Sequence, residues 1–495
     1  MKKVTLSIFF IAIFCEAFTQ TLKNEKFFSK ELNESILYHV WLPEGWKITK
    51  KYPVIYQYEI LSISDLNSKL LVNNVSIYSV YYNKIPKTII VSIDIKNGDE
   101  VGYTYGTGNI NTKGQNFLKA VKEGIIPAVE NKFNGSSKFR CFFGHSQTAS
   151  YANYLFLHKP DIFNAYILLS PEKLEVQQPP FEIDEQLVQY YKNNHVTYYL
   201  ADGGLDMPRR QAYAKEISEK VKKLDTSSFM FQFDSFANAS HMTILTHAIS
   251  QALEFIFKPY TSYLDIDTAQ NALNYFKKVE TELYKLYGLS IEKDNSKNNS
   301  ISQFFISLAV KNKDGMALSY FADYFMSGKS SGVDLNNVAY SFNSIGWTEK
   351  AEEYYKKAIE KSRRDEKQKH SVQNKLNIFT AYRSLALNVY KDDKIKAWEI
   401  LQKGLLETGE ADLNYWIGRH AVENKMYLNE GIKQLLVFIN SDHKESWTYF
   451  KDQAYYYLGE GYLLLNDKIN AKMYLQKALE INSNNEKAKE AIKKL

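Results

Sequence analysis

Three stretches of this chain carry residue types that suit acyl-transfer chemistry. The first is Gly144-His-Ser-Gln-Thr, which places Ser146 directly after the apolar, aromatic run Phe139–Phe143 and just before a helix-like run, Ala149–His158. A serine on a sharp strand-to-helix turn projects its hydroxyl from the carboxyl edge of a sheet. There the N–H of the next residue, Gln147, and the helix N-terminus can hold an oxyanion. Such a hydroxyl needs a base, and the base needs an orienting acid. In a strand-turn-helix sheet of this kind the chain order is Ser, then Asp or Glu, then His. Downstream, the run Val196–Leu200 ends in Ala-Asp-Gly-Gly-Leu-Asp, which offers Asp202 and Asp206. The run Phe229–Phe233 leads into a polar loop, Asp234–Ser240, and then His241, with His247 further along as a second imidazole. Each candidate lies just past the carboxyl end of a strand-like run, where ligands bind in open α/β sheets. His145 on the turn, beside the serine, reads as structural and pointing elsewhere, and Arg209-Arg210 as an exposed helix start.

The elements that must position these residues are also legible. Short runs rich in β-branched and aromatic residues occur at Val54–Tyr56, Thr88–Asp94, Phe139–Phe143, Ala165–Leu169, Val196–Leu200 and Phe229–Phe233. Most are apolar on both faces, as parallel strands covered by helices on each side must be. Between them, Leu118, Val121, Ile125 and Val129 share one helical face, and Thr243–Phe257 is amphipathic. Alternation of strands and helices predicts a doubly wound, mostly parallel α/β domain. Tyr190-Tyr191 and Tyr198-Tyr199 read as packing residues, and Pro179-Pro180 marks an insertion placed to shape a substrate pocket.

Beyond Tyr260 the strand signal stops and proline disappears. Gly346, Ala351, Tyr355 and Ala358 recur at the same offsets as Asn466, Ala471, Leu475 and Ala478, and Ala397, Leu401 and Gly404 repeat the last three. Small residues at these places let paired helices approach closely. The pattern resembles tetratricopeptide repeats, with Leu458-Gly459 to Ala478 the best match. The expected division is an export signal over 1–20, an α/β domain over 21–259, a helical connector and linker over 260–302, and a helical repeat domain over 303–495.

Residues 21 to about 257 resemble the putative esterase family of the α/β-hydrolase superfamily, with its esterase D-like, feruloyl-esterase-like and enterochelin-esterase-like members. The resemblance is carried by Tyr38-His-Val-Trp-Leu-Pro-Glu-Gly, Lys51-Tyr-Pro-Val-Ile-Tyr, Ile125-Ile-Pro-Ala-Val-Glu, Gly144-His-Ser, His158-Lys-Pro-Asp-Ile-Phe-Asn-Ala-Tyr and Leu169-Ser-Pro. It implies an α/β-hydrolase fold and a serine esterase with Ser146 as nucleophile, Asp206 as acid and His241 as base. Two departures stand out. The family continues Gly-His-Ser with x-Gly-Gly, whereas this chain has Gln147-Thr148-Ala149, so that Thr148 is expected to be accommodated by a shift. Where the family has Asp-Gly after its second matched strand this chain has Glu59-Ile60, which leaves the N–H of Tyr58 or Glu59 as the expected second oxyanion donor. These departures also favour an alternative, in which a degenerate hydrolase domain and the repeats form a binding scaffold.

Composition narrows the rest. The 495 residues are 45% hydrophobic and 24% charged, which excludes a wholly disordered chain. The net charge of +6 comes from dispersed residues with no dense basic block, so no nucleic-acid partner is expected. Lys2 and Lys3, the apolar run Val4–Phe14 and the small residue Ala17 form a signal-peptide pattern, which predicts an exported protein, periplasmic or extracellular, with no membrane span in the mature chain. Loss of Cys15 with that segment leaves Cys141 alone, without an intrachain disulfide. No Cys/His cluster has zinc spacing, and neither a metal nor an organic cofactor is expected. The expected partners are a small-molecule or carbohydrate ester and, at the repeats, a protein or peptide.

Overall fold

The computed structural model describes residues 21–60, 64–96, 98–102, 110–172, 181–224, 228–265, 271–291, 300–326, 330–441 and 447–495. The export signal read over 1–20 and Pro179-Pro180 lie outside them. The chain divides into two compact units: Met1–Thr268 with Asn274–Ile291, and Ala269–Leu273 with Glu292–Leu495.

The first unit is an α/β domain with an eight-stranded sheet: β1 (Thr21–Ser29), β2 (Glu34–Leu42), β3 (Tyr52–Ile60), β4 (Ile89–Ile95), β5 (Gly135–His145), β6 (Ala165–Leu169), β7 (Val196–Gly203) and β8 (Phe229–Phe236). Their spatial order is β1-β2-β4-β3-β5-β6-β7-β8. β4, β3 and β5 to β8 run parallel, and β1 and β2 form an antiparallel hairpin joined to β4. That hairpin is the element the strand reading passes over. Along β2 only Ile36, Tyr38, Val40 and Leu42 are buried, alternating with partly exposed residues, whereas every residue of β6 and β7 is buried. A half-solvated edge alternates, and a covered centre does not.

The helices of this unit are α1 (Ser64–Ser76), α2 (Thr112–Ala120), α3 (Ile126–Lys132), α4 (Gln147–His158), α5 (Glu185–Asn193), α6 (Pro208–Val221), α7 (Ile244–Ile256), α8 (Lys258–Thr261) and α9 (Ala272–Tyr287). Val121–Ile125 is a π turn joining α2 to α3, and Leu118, Val121, Ile125 and Val129 are all buried across it. Much of the tyrosine content lies in this core. Phe156 packs against Tyr166 at 5.5 Å, Tyr191 at 4.6 Å and Tyr198 at 4.9 Å between ring centroids. Tyr191 keeps its hydroxyl satisfied by donating to the Phe156 carbonyl at 2.5 Å, which offsets the cost of burying it. Cys141, on β5, is buried and, among the described residues, unpaired.

Among the described residues no strand follows Pro259, but the compact unit runs on to Ile291. Tyr287 of α9 packs against Phe139 and Phe257, at 5.1 and 5.7 Å between centroids. Most of the segment read as a connector therefore completes the α/β core, because its aromatic end has an apolar surface to cover.

The second unit is helical: α10 (Ser300–Lys311), α11 (Gly315–Phe325), α12 (Gly332–Ser344), α13 (Thr348–Gln368), α14 (Val372–Ser384), α15 (Lys394–Thr408), α16 (Asp412–Asn424), α17 (Leu428–Asn440), α18 (Trp447–Leu464), α19 (Lys468–Ile481) and α20 (Glu486–Ile492). Consecutive helices pack on one another, and Ala351, Ala358, Ala397, Ala471 and Ala478 are fully buried. Gly346 and Asn466, at matching offsets, both hold positive φ, 84° and 64°, in the turns before α13 and α19. Asp314, Asp393 and Asp467 cap α11, α15 and α19 in the same way. A Cβ on Gly459 would stand 2.6 Å from Leu475 Cγ, so α18 and α19 touch through the missing side chain. Among the described residues no helix is long and apolar enough to cross a membrane.

Candidate active site

Three loops at the carboxyl edge of the sheet bring the site together. β5 ends in the turn that carries Ser146, whose φ of 58° and ψ of −120° are unfavourable for any residue with a Cβ. The turn is as tight as the sequence suggests. A Cβ on Gly144 would lie 2.7 Å from Ala149 Cα and 2.8 Å from Ala149 N. Ser146 N–H donates to the Leu169 carbonyl at 3.0 Å, which moors the elbow to β6. Gln147 opens α4, so its N–H is one of the helix's leading donors without an intrahelical acceptor.

Thr148 is bonded to the turn itself. Its Oγ1 accepts from His145 N–H at 3.0 Å and donates to the His145 carbonyl at 2.9 Å. These two hydrogen bonds brace the turn. Ala149 is fully buried behind it.

The acid and the imidazole come from the loops after β7 and β8. A Cβ on Gly203 would lie 2.4 Å from the Ala239 carbonyl oxygen, and one on Gly204 would lie 2.6 Å from that of Ala237. The paired glycines therefore let the two loops meet. Gly204 N–H donates to Phe236 O at 2.8 Å and Leu205 N–H to Ala239 O at 2.9 Å. Asp206 Oδ2 then lies 2.8 Å from His241 Nδ1, and His241 Nε2 lies 3.0 Å from Ser146 Oγ. The carboxylate can only accept, so Nδ1 carries the proton and Nε2 presents a lone pair to the serine hydroxyl. Asp206 is 8% exposed. Burial opposes its ionisation, yet the bonds from His241, the Met207 N–H and Arg210 outweigh it and hold its pKa below the usual carboxylate value.

The competing candidates are placed elsewhere. Burial, with the nearby Asp206 charge, pushes the Asp202 carboxyl up, a bond from Ser235 opposes this, and among the described residues its Oδ1 has no hydrogen-bond partner. His247 stacks on Phe236 in α7, with centroids 6.0 Å apart. Tyr58 and Glu59 lie within β3, opposite Ile93 and Asp94 of β4. The Tyr58 ring packs edge-on against Phe117 and Phe142, and Glu59 accepts from Gln57 Nε2 at 3.1 Å. The continuation of β3, at 61–63, lies outside the described residues.

Two expectations need correction. His145 does not point away: its Nε2 donates to the His241 carbonyl at 2.7 Å, with the two imidazole centroids 4.7 Å apart. Burial, chiefly, lowers its pKa to about 4, so it stays neutral and keeps the proton that bond needs. Nor is Arg210 an exposed helix start. Its side chain is 11% exposed and bridges Asp206 and Glu172. The Asp206/Arg210 spacing of four residues at a helix start was the available signal for Arg210. Nothing local marks Glu172.

A chain of hydroxyl, imidazole and carboxylate can raise the nucleophilicity of the hydroxyl by taking its proton. Among the described residues no group of His, Cys, Asp or Glu could hold a metal ion.

Comparisons with known proteins bear on the α/β half of the chain. The model of the Putative esterase family matches residues 29–241. Ferri-bacillibactin esterase BesA of Bacillus subtilis (strain 168) is 26% identical over 157 residues, 31% of this chain and 54% of that protein. The chain thus spans about half the length of this curated relative. Among solved structures, an uncharacterised protein from Capnocytophaga ochracea DSM 7271 aligns with 68% of this chain and 94% of its own, at 18% identity and a TM-score of 0.50. An IroE-like serine hydrolase from Shewanella oneidensis aligns with 62% of this chain and 97% of its own, at 17% identity and a TM-score of 0.42. The first of these likenesses speaks for the fold alone. The family match and the curated relative support the esterase family for the α/β half of this chain.

Proposed function

We propose that this protein is an exported serine hydrolase of carboxylic esters. The observation that carries the reading is the continuous hydrogen-bonded chain Ser146–His241–Asp206 on a strained strand-to-helix elbow. Ser146 Oγ attacks the ester carbonyl carbon while its proton passes to His241 Nε2. The oxyanion is held by the Gln147 N–H at the start of α4. His241 returns the proton to the departing alkoxide, which leaves an acyl group on Ser146. Water, deprotonated by His241, then releases the acid and restores the serine. Asp206 holds the Nδ1–H tautomer and stabilises the imidazolium that forms. No metal or organic cofactor takes part. The esterase name of the Bacillus relative accords with a small-molecule or carbohydrate ester as substrate. The helical unit, read as tetratricopeptide-like repeats, offers its surface to a protein or peptide.

The test is labelling with a fluorophosphonate, paired with turnover of a panel of p-nitrophenyl and acylated-carbohydrate esters. Wild-type protein should label and turn over, and Ser146→Ala should do neither. Turnover that survives in Ser146→Ala, or a wild-type protein inert to both, would remove the hydrolase reading and leave the scaffold.

A further inference from the structure

The contacts around the elbow close into a ring. Ser150, one turn into α4, donates its N–H to the Ser146 carbonyl at 3.1 Å. Ser150 Oγ accepts from Glu172 N–H at 2.8 Å and donates to the Glu172 carbonyl at 2.5 Å. The Glu172 carboxylate accepts from Arg210 Nη2 at 3.0 Å and from Arg209 Nη2 at 2.8 Å. Arg210 Nη1 donates to Asp206 Oδ1 at 3.1 Å, and Asp206 and His241 lead back to Ser146 Oγ. Asp206 Oδ1 also accepts from Met207 N–H at 2.7 Å, so two donors fix that oxygen and turn Oδ2 toward the imidazole.

Stability alone is a poor account of Arg210. A surface ion pair gains little. A largely desolvated arginine carries a cost, and here Nε is buried with no hydrogen-bond partner among the described residues. What the burial secures is geometry, because a planar fork can span two carboxylates that belong to different loops.

We propose that Arg210, clamped by Glu172, is a positioning residue that fixes Asp206 and, through it, His241 against Ser146. This rests on the hydrolase reading given above. The charged and titratable groups around the imidazole are Asp206 and Arg210 from the β7 loop and α6, and His145 from the elbow. Asp202 lies near Asp206, and Arg209 shares Glu172.

The experiment measures kcat and KM against pH for the full-length protein on p-nitrophenyl acetate, with Arg210→Met, Arg210→Lys and Glu172→Gln beside Ser146→Ala. Arg210→Met lowers kcat about tenfold to a hundredfold while KM stays within about twofold, because misplacement affects chemistry more than binding. It moves the acid limb of kcat/KM up by about half a pH unit, since removing a cation favours the imidazolium. Glu172→Gln moves that limb the other way, because the arginine charge is then unneutralised. Arg210→Lys restores the limb but not kcat, since an ammonium is a point charge and lacks the fork. General loss of packing does not produce opposite displacements. Should Arg210→Met fail to fold, the direction of the Glu172→Gln shift decides. Wild-type kcat in a folded Arg210→Met protein, or an acid limb unmoved or raised in Glu172→Gln, overturns the positioning role. With Ser146→Ala inert, that outcome leaves the hydrolase reading standing. A wild-type protein without turnover or labelling overturns both.

Discussion

Replacing Gly203 by alanine perturbs the site without touching any of its three side chains. The added Cβ would stand 2.4 Å from the Ala239 carbonyl oxygen, 2.9 Å from its carbon and 3.3 Å from the Ser240 oxygen. Ordinary contact begins near 3.4 Å, so the loop must retreat by about 1 Å. The atoms that must move are backbone, and they immediately precede His241. That loop also accepts Gly204 N–H at 2.8 Å and Leu205 N–H at 2.9 Å, so it cannot retreat without strain on the β7 turn that carries Asp206. A displacement of that size carries His241 beyond hydrogen-bond reach of a hydroxyl now 3.0 Å away. The expected result is a kcat lower by about a hundredfold with KM little changed. Overpacking should cost about 1–3 kcal/mol of stability. The assay is steady-state turnover of p-nitrophenyl acetate, with urea unfolding followed by circular dichroism to show that the variant is folded at the assay temperature. A folded Gly203→Ala protein with wild-type kcat would refute the argument that the paired glycines position the imidazole.

Three other outcomes follow from the same contacts. Asp206→Asn should lower kcat about 10³–10⁴-fold while fluorophosphonate labelling slows but persists, because the serine stays and the tautomer is lost. Thr148→Val keeps the shape but removes both bonds to the His145 backbone, and should cost about 1–3 kcal/mol in urea unfolding. His145 has its pKa lowered from 6.5 to about 4, so between those values the unfolded chain binds a proton that the folded one refuses. Stability should therefore fall as pH drops from 6.5 toward 4, by on the order of 3 kcal/mol in all. His145→Gln, which retains a donor, should flatten that part of the stability profile, and an unchanged slope would exclude His145 as its source.

The central sheet was legible because β5, β6 and β7 are covered on both faces, so they read as unbroken apolar runs. The β1–β2 hairpin was not, because its outer strand is largely exposed along most of its length. The elbow was legible from Gly144 and Ser146 between a strand and a helix, since local backbone geometry sets that turn. The two bonds of the Thr148 hydroxyl to the polar groups of the His145 backbone were not legible, because they depend on how the turn is folded.

The order Ser146, Asp206, His241 and the placing of each after a strand were determined by the sequence, because chain order and strand ends are local properties. So was the helical character of the second half, which its period and its small residues declare. Which aspartate meets the imidazole was decided only in three dimensions. Asp202, at the end of β7, and Asp206, on the loop after it, are four residues apart, and only the approach of the β8 loop over Gly203 and Gly204 brings His241 Nδ1 to one of them. The same holds for Glu172 and Arg210, 38 residues apart in the chain and 3.0 Å apart in space. Pairings of that kind depend on which strands lie side by side, and the burial that makes them matter is a property of the assembled sheet.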